Sequence, residues 1–262
     1  MIKSIGVLGC GWLGMPLATE LVQSFGVVKG ATRSVEKMEM MREKGIKPYQ
    51  IDLNPEYAGP ETDFFNVDVL IVNLPPRNQN GDDHFHERQL KSIIAQVSCY
   101  QPWIIFISSS AVYPATNQSV SESDADGKCL SRGGLSLLQL ERLFVDHPKL
   151  DSTVIRFSGL FGSGRLPGRF LAGKKNLAGA TNPVNLIHLE DCIGVIKAVI
   201  DQNKRNAIYN ATSSEPRTRK DYYQQAAKEL GLEIPTFSEE PLAFKKIDAS
   251  KIFAETGYEF KY

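Results

Sequence analysis

Three glycines, spaced Gly9-x-Gly11-x-x-Gly14, follow an apolar run directly and open a helix-compatible segment. In that context their chemistry is the holding of a pyrophosphate. Glycines allow a tight turn and close backbone approach, and the helix behind them offers free N–H groups and the positive end of its dipole. Trp12 and Leu13 complete the loop. The next apolar run ends Thr32-Arg33-Ser34, where an NAD-selective site would carry Asp or Glu to pair with the ribose hydroxyls. Arg33 suits a 2′-phosphate instead, with Thr32 and Ser34 as hydroxyl donors, so NADP is the expected cofactor and NAD the alternative. A solvated Arg33 with Ser34 capping the next helix is a second reading that can coexist with the first. Lys37 is a weaker phosphate candidate.

Asp52 is placed to accept from an adenine amino group, with Leu53 packing beside the ring; a turn or cap aspartate is the alternative. Asn73-Leu74-Pro75-Pro76 closes a further apolar run. Proline cannot continue a ladder, so the chain must leave the sheet there, and backbone contacts from Asn73, Leu74 and Pro75 to the cofactor are expected.

The elements that must position these residues follow a regular rhythm. Short apolar runs at 2–8, 27–32, 48–51, 67–73, 103–108 and 153–157 predict strands. Segments 12–25, 35–44, 82–97 and 135–146 carry apolar residues at three- and four-residue spacing and predict helices. This is an α/β pattern, a Rossmann doubly wound parallel sheet. After Phe157 it breaks into a Gly-, Pro- and Lys-rich stretch, 158–183. It then resumes with a helix opening near Glu190, a strand at 208–211 and helices at 218–230 and 248–256. The expected organisation is a dinucleotide-binding core over 1–157, with 184–212 returning to it, and a smaller substrate-binding lobe from 158–183 and 213–262.

The 262 residues are 42% hydrophobic, enough for a large core, and the 30 basic and 30 acidic side chains balance to zero. That removes the broad electrostatic drive of nucleic-acid binders, so no nucleic-acid partner is expected. Cys10, Cys99, Cys129 and Cys192 are scattered, which indicates neither a metal site nor a disulfide framework and suits a reduced, cytoplasmic setting. Lys3 with the apolar stretch 5–21 superficially resembles a signal peptide, but the spaced glycines favour strand, turn and helix. No apolar stretch approaches a membrane span of about 20 residues.

Ile107-Ser108-Ser109-Ser110-Ala111-Val112-Tyr113-Pro114 resembles the S-S-x-x-V-Y-G segment of extended short-chain dehydrogenases/reductases, the family of nucleotide-sugar epimerases and dehydratases. Arg156-Phe157 with Gly159 to Arg165 is similar to its R-x-x-x-x-Y-G-P-G-R stretch, Val184 to Asp191 to its R-I-H-V-D-D segment, and Tyr209-Asn210 to its Y-N-V strand end. The resemblance spans nearly the whole chain. It implies a mechanism in which Ser or Thr orients a substrate oxygen, a tyrosine transfers its proton, and a lysine lowers that tyrosine's pKa and grips the ribose. Ser109 takes the serine role, with Ser110 the neighbouring alternative. The substrate implied is a nucleotide sugar or another small carbonyl or hydroxyl compound.

The departure is specific. Aligning the family's helical glutamate with Glu141 puts Gly133 in the tyrosine slot of Y-x-x-x-K and Leu137 in the lysine slot. Neither transfers a proton. The glycine loop also has the shorter first step, which points to the atypical members of the family. Tyr113, Lys128 and His86 are the substitute donors to consider, each with a structural or surface role as the alternative; Arg132 suits an anion anchor, and His188 suits a helix start or an interlobe hydrogen bond rather than catalysis. The expected function is therefore an NAD(P)-binding oxidoreductase or epimerase/dehydratase-like enzyme. A noncatalytic dinucleotide sensor is the alternative. A β-hydroxyacid dehydrogenase, whose opening the stretch Ile5 to Pro16 also resembles, is the third; it would require an all-helical second half.

Overall fold

A computed structural model describes residues 2–60, 62–76, 82–127 and 132–262, with residues 132–135 as backbone only. In chain order the elements are β1 (Ser4–Leu8), α1 (Gly14–Val22), β2 (Val27–Thr32), α2 (Val35–Glu43), β3 (Lys47–Gln50), β4 (Val69–Val72), α3 (Phe85–Val97), β5 (Trp103–Ser109), β6 (Gln118–Val120), α4 (Arg132–Val145) and β7 (Ser152–Phe157). They continue with β8 (Gly159–Phe161), α5 (Gly168–Leu171), β9 (Leu186–His188), α6 (Leu189–Asp201), β10 (Ala207–Ala211), α7 (Arg219–Glu229), β11 (Lys245–Ile247) and α8 (Ser250–Thr256).

Seven strands form one parallel sheet in the order β10-β7-β5-β4-β1-β2-β3. The central strands are near-continuous apolar runs because parallel strands inside the sheet are covered on both faces, whereas the edge strand β3 is Lys47-Pro48-Tyr49-Gln50 and only half-buried to exposed. All four residues of β4 and all six of β7 are buried. The order reverses between β1 and β4, the switch point at whose carboxyl ends doubly wound sheets bind ligands.

The chain divides into two compact units, and β7 and β10 run from one into the other. The first comprises Met1–Ser108, Ser136–Ile155 and Val199–Ile208. Its core gathers Leu8, Leu70, Val72, Ile104, Phe106 and Val154 from the strands with Leu90, Ile93 and Val97 of α3 and Phe144 of α4. The second comprises Ser109–Leu135, Arg156–Ala198 and Tyr209–Tyr262. Here β8 pairs with β9 and β11 with β6, both parallel, and Val184, Leu186 and Tyr222 form an apolar cluster with Phe161, Phe170 and Tyr223.

Most expected elements lie within a few residues of their bounds. The helix expected from Trp12 begins at Gly14, because Trp12 and Leu13 belong to the turn. The stretch 158–183, expected as loop, contains β8 and α5. Strand β10 belongs to the large sheet, so the second half is not all-helical and the fold is not that of a β-hydroxyacid dehydrogenase.

Candidate dinucleotide site and the Tyr113 cluster

Gly9 follows β1 with φ at +103°, a backbone conformation that favours glycine. A Cβ there would run into the carbonyl of Asn73, and a Cβ on Gly14 into the carbonyl of Gly9. Those two glycines are demanded by the protein's own packing. Gly11 differs: it is exposed, and a Cβ would meet nothing within 4 Å. The open space lies beside the start of α1, whose N-terminus no side chain caps. A cradle open at the middle glycine, beside an uncapped helix end, fits a dinucleotide's pyrophosphate. Leu13 is buried and Trp12 half-buried. Cys10 turns its thiol inward, and burial pushes that thiol up to about 12.

Asn73 buttresses this loop. Its N–H donates to the Leu8 carbonyl at 2.9 Å, and its Nδ2 donates to the Gly9 carbonyl at 3.0 Å. Leu74 is half-buried against the core and Pro75 is exposed. At the end of β2, Ser34 caps α2: its Oγ accepts from the Lys37 N–H at 3.4 Å and donates to Glu36 Oε2 at 2.5 Å. That bond holds the Glu36 carboxyl below its ordinary range. Thr32 Oγ1 accepts from the Ser34 N–H at 3.2 Å. Arg33 is exposed, and no hydrogen bond or ion pair engages its guanidinium among the described residues. Asp52 is exposed and Leu53 buried; Gln89 Nε2 donates to the Leu53 carbonyl at 2.7 Å, and His86 holds Gln89 in turn through a 3.0 Å contact of Nδ1 with Oε1. His86 is thus a buried support for the Leu53 turn.

Past β5 the chain makes a 3-10 turn over Ser110–Val112. Ser109 caps it, its half-buried Oγ accepting from the Ala111 N–H at 3.1 Å. Ser110 is buried. Tyr113 donates its hydroxyl proton to Asn210 Oδ1 at 2.6 Å and accepts from Arg156 at 2.7 Å, while the guanidinium also lies 5.1 Å from its ring centre. Arg156, 1% exposed, donates as well to the Glu122 carbonyl, and Glu122 Oε1 accepts from the Asn210 N–H. Burial pushes the Tyr113 hydroxyl up to about 12 against the lowering pull of Arg156, so it stays protonated at neutral pH. Both sides of that hydroxyl are occupied by structural partners.

The chain is 34% identical over 267 residues to Protein YeeZ of Escherichia coli K12, covering all of this chain and 97% of YeeZ. The chain belongs to the YeeZ family. No family model matches it. Its fold is that of the extended short-chain dehydrogenases/reductases, the NAD-dependent epimerase/dehydratase group. A short-chain dehydrogenase/reductase superfamily protein of Agrobacterium tumefaciens with bound NAD superposes with a TM-score of 0.75 at 16% identity, over 99% of this chain and 93% of that one. UDP-glucuronic acid 4-epimerase of Bacillus cereus, in complex with NAD, gives 0.71 at 17%, over 99% and 94%. This YeeZ-family chain therefore shares the fold of these two proteins, both of which were solved with NAD.

Within that fold, Glu141 is buried on α4 and accepts from Ser108 Oγ at 2.5 Å, and Leu137 is buried on the same helix. Gly133 and Arg132 enter only as α4 backbone; Lys128 and Cys129 lie outside the described residues. His188 Nδ1 accepts from the Glu190 N–H at the start of α6, and its ring lies 4.0 Å from that of Tyr262. Asp191, fully buried, accepts from the Tyr258 hydroxyl and from the N–H groups of Lys261 and Tyr262. Sequence reading missed this tie and the Arg156–Tyr113–Asn210 cluster, because their partners lie 43 to 97 positions apart. Among the described residues no helix is long and apolar enough to cross a membrane.

Proposed function

We propose that the chain binds NADP(H) and performs oxidoreductase or epimerase-like chemistry on a small carbonyl or hydroxyl substrate, with nucleotide sugars the first class to test. The observation that carries this reading is the open space over Gly11 beside the uncapped start of α1. Gly9, Gly11, Trp12, Leu13 and Gly14 would hold the pyrophosphate. Arg33 and Thr32, with Ser34 between cap and ligand, would take the 2′-phosphate. Asp52 and Leu53 would meet the adenine, and Asn73, Leu74 and Pro75 would close the loop. The nicotinamide, when bound, would supply hydride exchange. Ser109 would orient the substrate oxygen, and segments 158–183 and 213–262 would form a smaller substrate-binding lobe, with 1–157 and 184–212 the dinucleotide-binding core. The UDP-glucuronic acid epimerase likeness motivates the nucleotide sugar, and the scattered cysteines a cytoplasmic setting. Turnover across a panel of nucleotide sugars and carbonyl compounds, abolished by Ser109→Ala, is the expected result; turnover unaffected by that substitution removes Ser109 from the chemistry.

A second reading, a dinucleotide sensor, is favoured by Gly133 and Leu137 in the relay slots and by the structurally occupied Tyr113 hydroxyl. NADP binding with no turnover over the whole panel would support it.

A further inference from the structure

With Gly133 and Leu137 in the relay slots, an oxygen oriented by Ser109 needs another neighbour to exchange its proton. Lys245 opens β11, and the parallel pairing of β11 with β6 sets it opposite Gln118. The backbone there is fixed from both sides. Asn117 and Phe244 exchange hydrogen bonds of 2.8 and 2.9 Å, and Asn185 Nδ2 donates to the Lys245 carbonyl at 2.8 Å. From this position Lys245 Nζ reaches the Tyr113 carbonyl at 2.6 Å. Tyr113 closes the 3-10 turn that Ser109 caps, and a turn of three residues rises about 6 Å. Ser109 and Tyr113 bracket that one turn, so the ammonium meets the same short segment that carries Ser109. One carbonyl uses one of its three donors, and no carboxylate pairs with it among the described residues.

We propose that Lys245 is the proton-exchanging residue of this site, meeting the substrate oxygen that Ser109 Oγ orients and doing the work of the absent tyrosine. The proposal rests on the oxidoreductase reading above. In the oxidising direction the substrate O–H bond breaks and its proton joins the neutral amine, giving an ammonium. The carbon's hydrogen leaves with its electron pair to the oxidised nicotinamide of that reading, and a carbonyl forms. Reduction runs the same exchange backwards.

The surroundings suit this work. Lys245 is half-buried, and desolvation lowers its pKa from the ordinary lysine value. The ammonium meets a neutral group, the Tyr113 carbonyl of the Ser109 turn, and the backbone that carries it is held by neutral residues, Gln118 and Asn117 at β6 and Asn185 before β9. Lys246 follows on β11 itself and is exposed. Arg156 and Glu122 gather at the hydroxyl end of Tyr113 and around its ring.

The test is amine labelling of the full chain across pH, read at Lys245 and Lys246 by mass spectrometry, joined to kinetics of Lys245→Met and Lys245→Arg. The labelling midpoint of Lys245 is expected below that of Lys246. Lys245→Met is expected to lower kcat about a hundredfold or more with little change in KM. Lys245→Arg is not expected to rescue it, since a guanidinium holds its proton. Calorimetry on both variants should show NADP binding intact. A labelling midpoint equal to that of Lys246, or wild-type kcat in Lys245→Arg, overturns the assignment. Absence of NADP binding by the wild-type chain would instead overturn the proposed function, and the labelling midpoint, measured without cofactor, would still decide whether Lys245 is poised.

Discussion

Past the end of β1 the loop leaves room: a side chain at Gly11 would meet nothing within 4 Å, no side chain caps α1, and no partner among the described residues engages Arg33. Past the end of β5, in the other unit, polar side chains are closed on one another. Arg156 is 1% exposed and spends itself on Tyr113 and Glu122, and the Tyr113 hydroxyl has a donor on one side and an acceptor on the other. Buried polar groups normally find partners within the protein, because an unmade bond there costs about 1–3 kcal/mol. The contrast teaches where to look for ligand-directed chemistry. On the proposed reading, in the first region it is the glycine loop and Arg33, and in the second it is Ser109 and Lys245 at the margin of a cluster whose centre is structural.

Substitutions can break this contrast. The largest effect is expected from Arg156→Met, which strips charged hydrogen bonds from the buried Tyr113 hydroxyl and the half-buried Glu122 carbonyl and should cost about 3 kcal/mol or more in chemical denaturation. A shift within error would show that the cluster is not structural. Gly14→Ala comes next, since its Cβ meets the Gly9 carbonyl; overpacking there should cost about 2 kcal/mol and abolish cofactor binding. Gly11→Ala is its foil. With open space above it, unfolding should shift by less than about 0.5 kcal/mol, while calorimetric affinity for the cofactor falls at least about tenfold. Equal destabilisation by the two would erase the distinction between packing glycines and the cradle glycine.

Arg33→Ala should weaken NADP about ten- to a hundredfold, the loss of roughly 1.5–3 kcal/mol of charged hydrogen bonding, and leave NAD unchanged. Smaller still, Ser34→Ala removes the α2 cap and should cost about 1 kcal/mol of stability by thermal melting.

The sequence made the first region legible because everything in it is local. Strand, glycine turn and helix occupy one short stretch, and the positive φ of Gly9 and the close approach at Gly14 are conditions only glycine meets without strain. Asn73, although 64 positions from Gly9, stood out through the prolines that follow it. The second region was legible only through family resemblance at Ser109 and Tyr113. Nothing in a linear reading joins Tyr113 to Asn210, 97 positions away, or to Lys245, 132 away. The strands that bring Lys245 in, β6 and β11, are three residues each, too short to show a period of two. The loop expected over 158–183 hid β8 and α5 for the same reason.

The central claim is that the open loop at Gly11 is a dinucleotide site with Arg33 selecting its phosphate. Calorimetric titration of the full chain with NADP(H) and NAD(H) tests it directly. Saturable binding of both, tighter for NADP by about tenfold or more and levelled by Arg33→Ala, is the result expected, and binding of neither contradicts the claim outright.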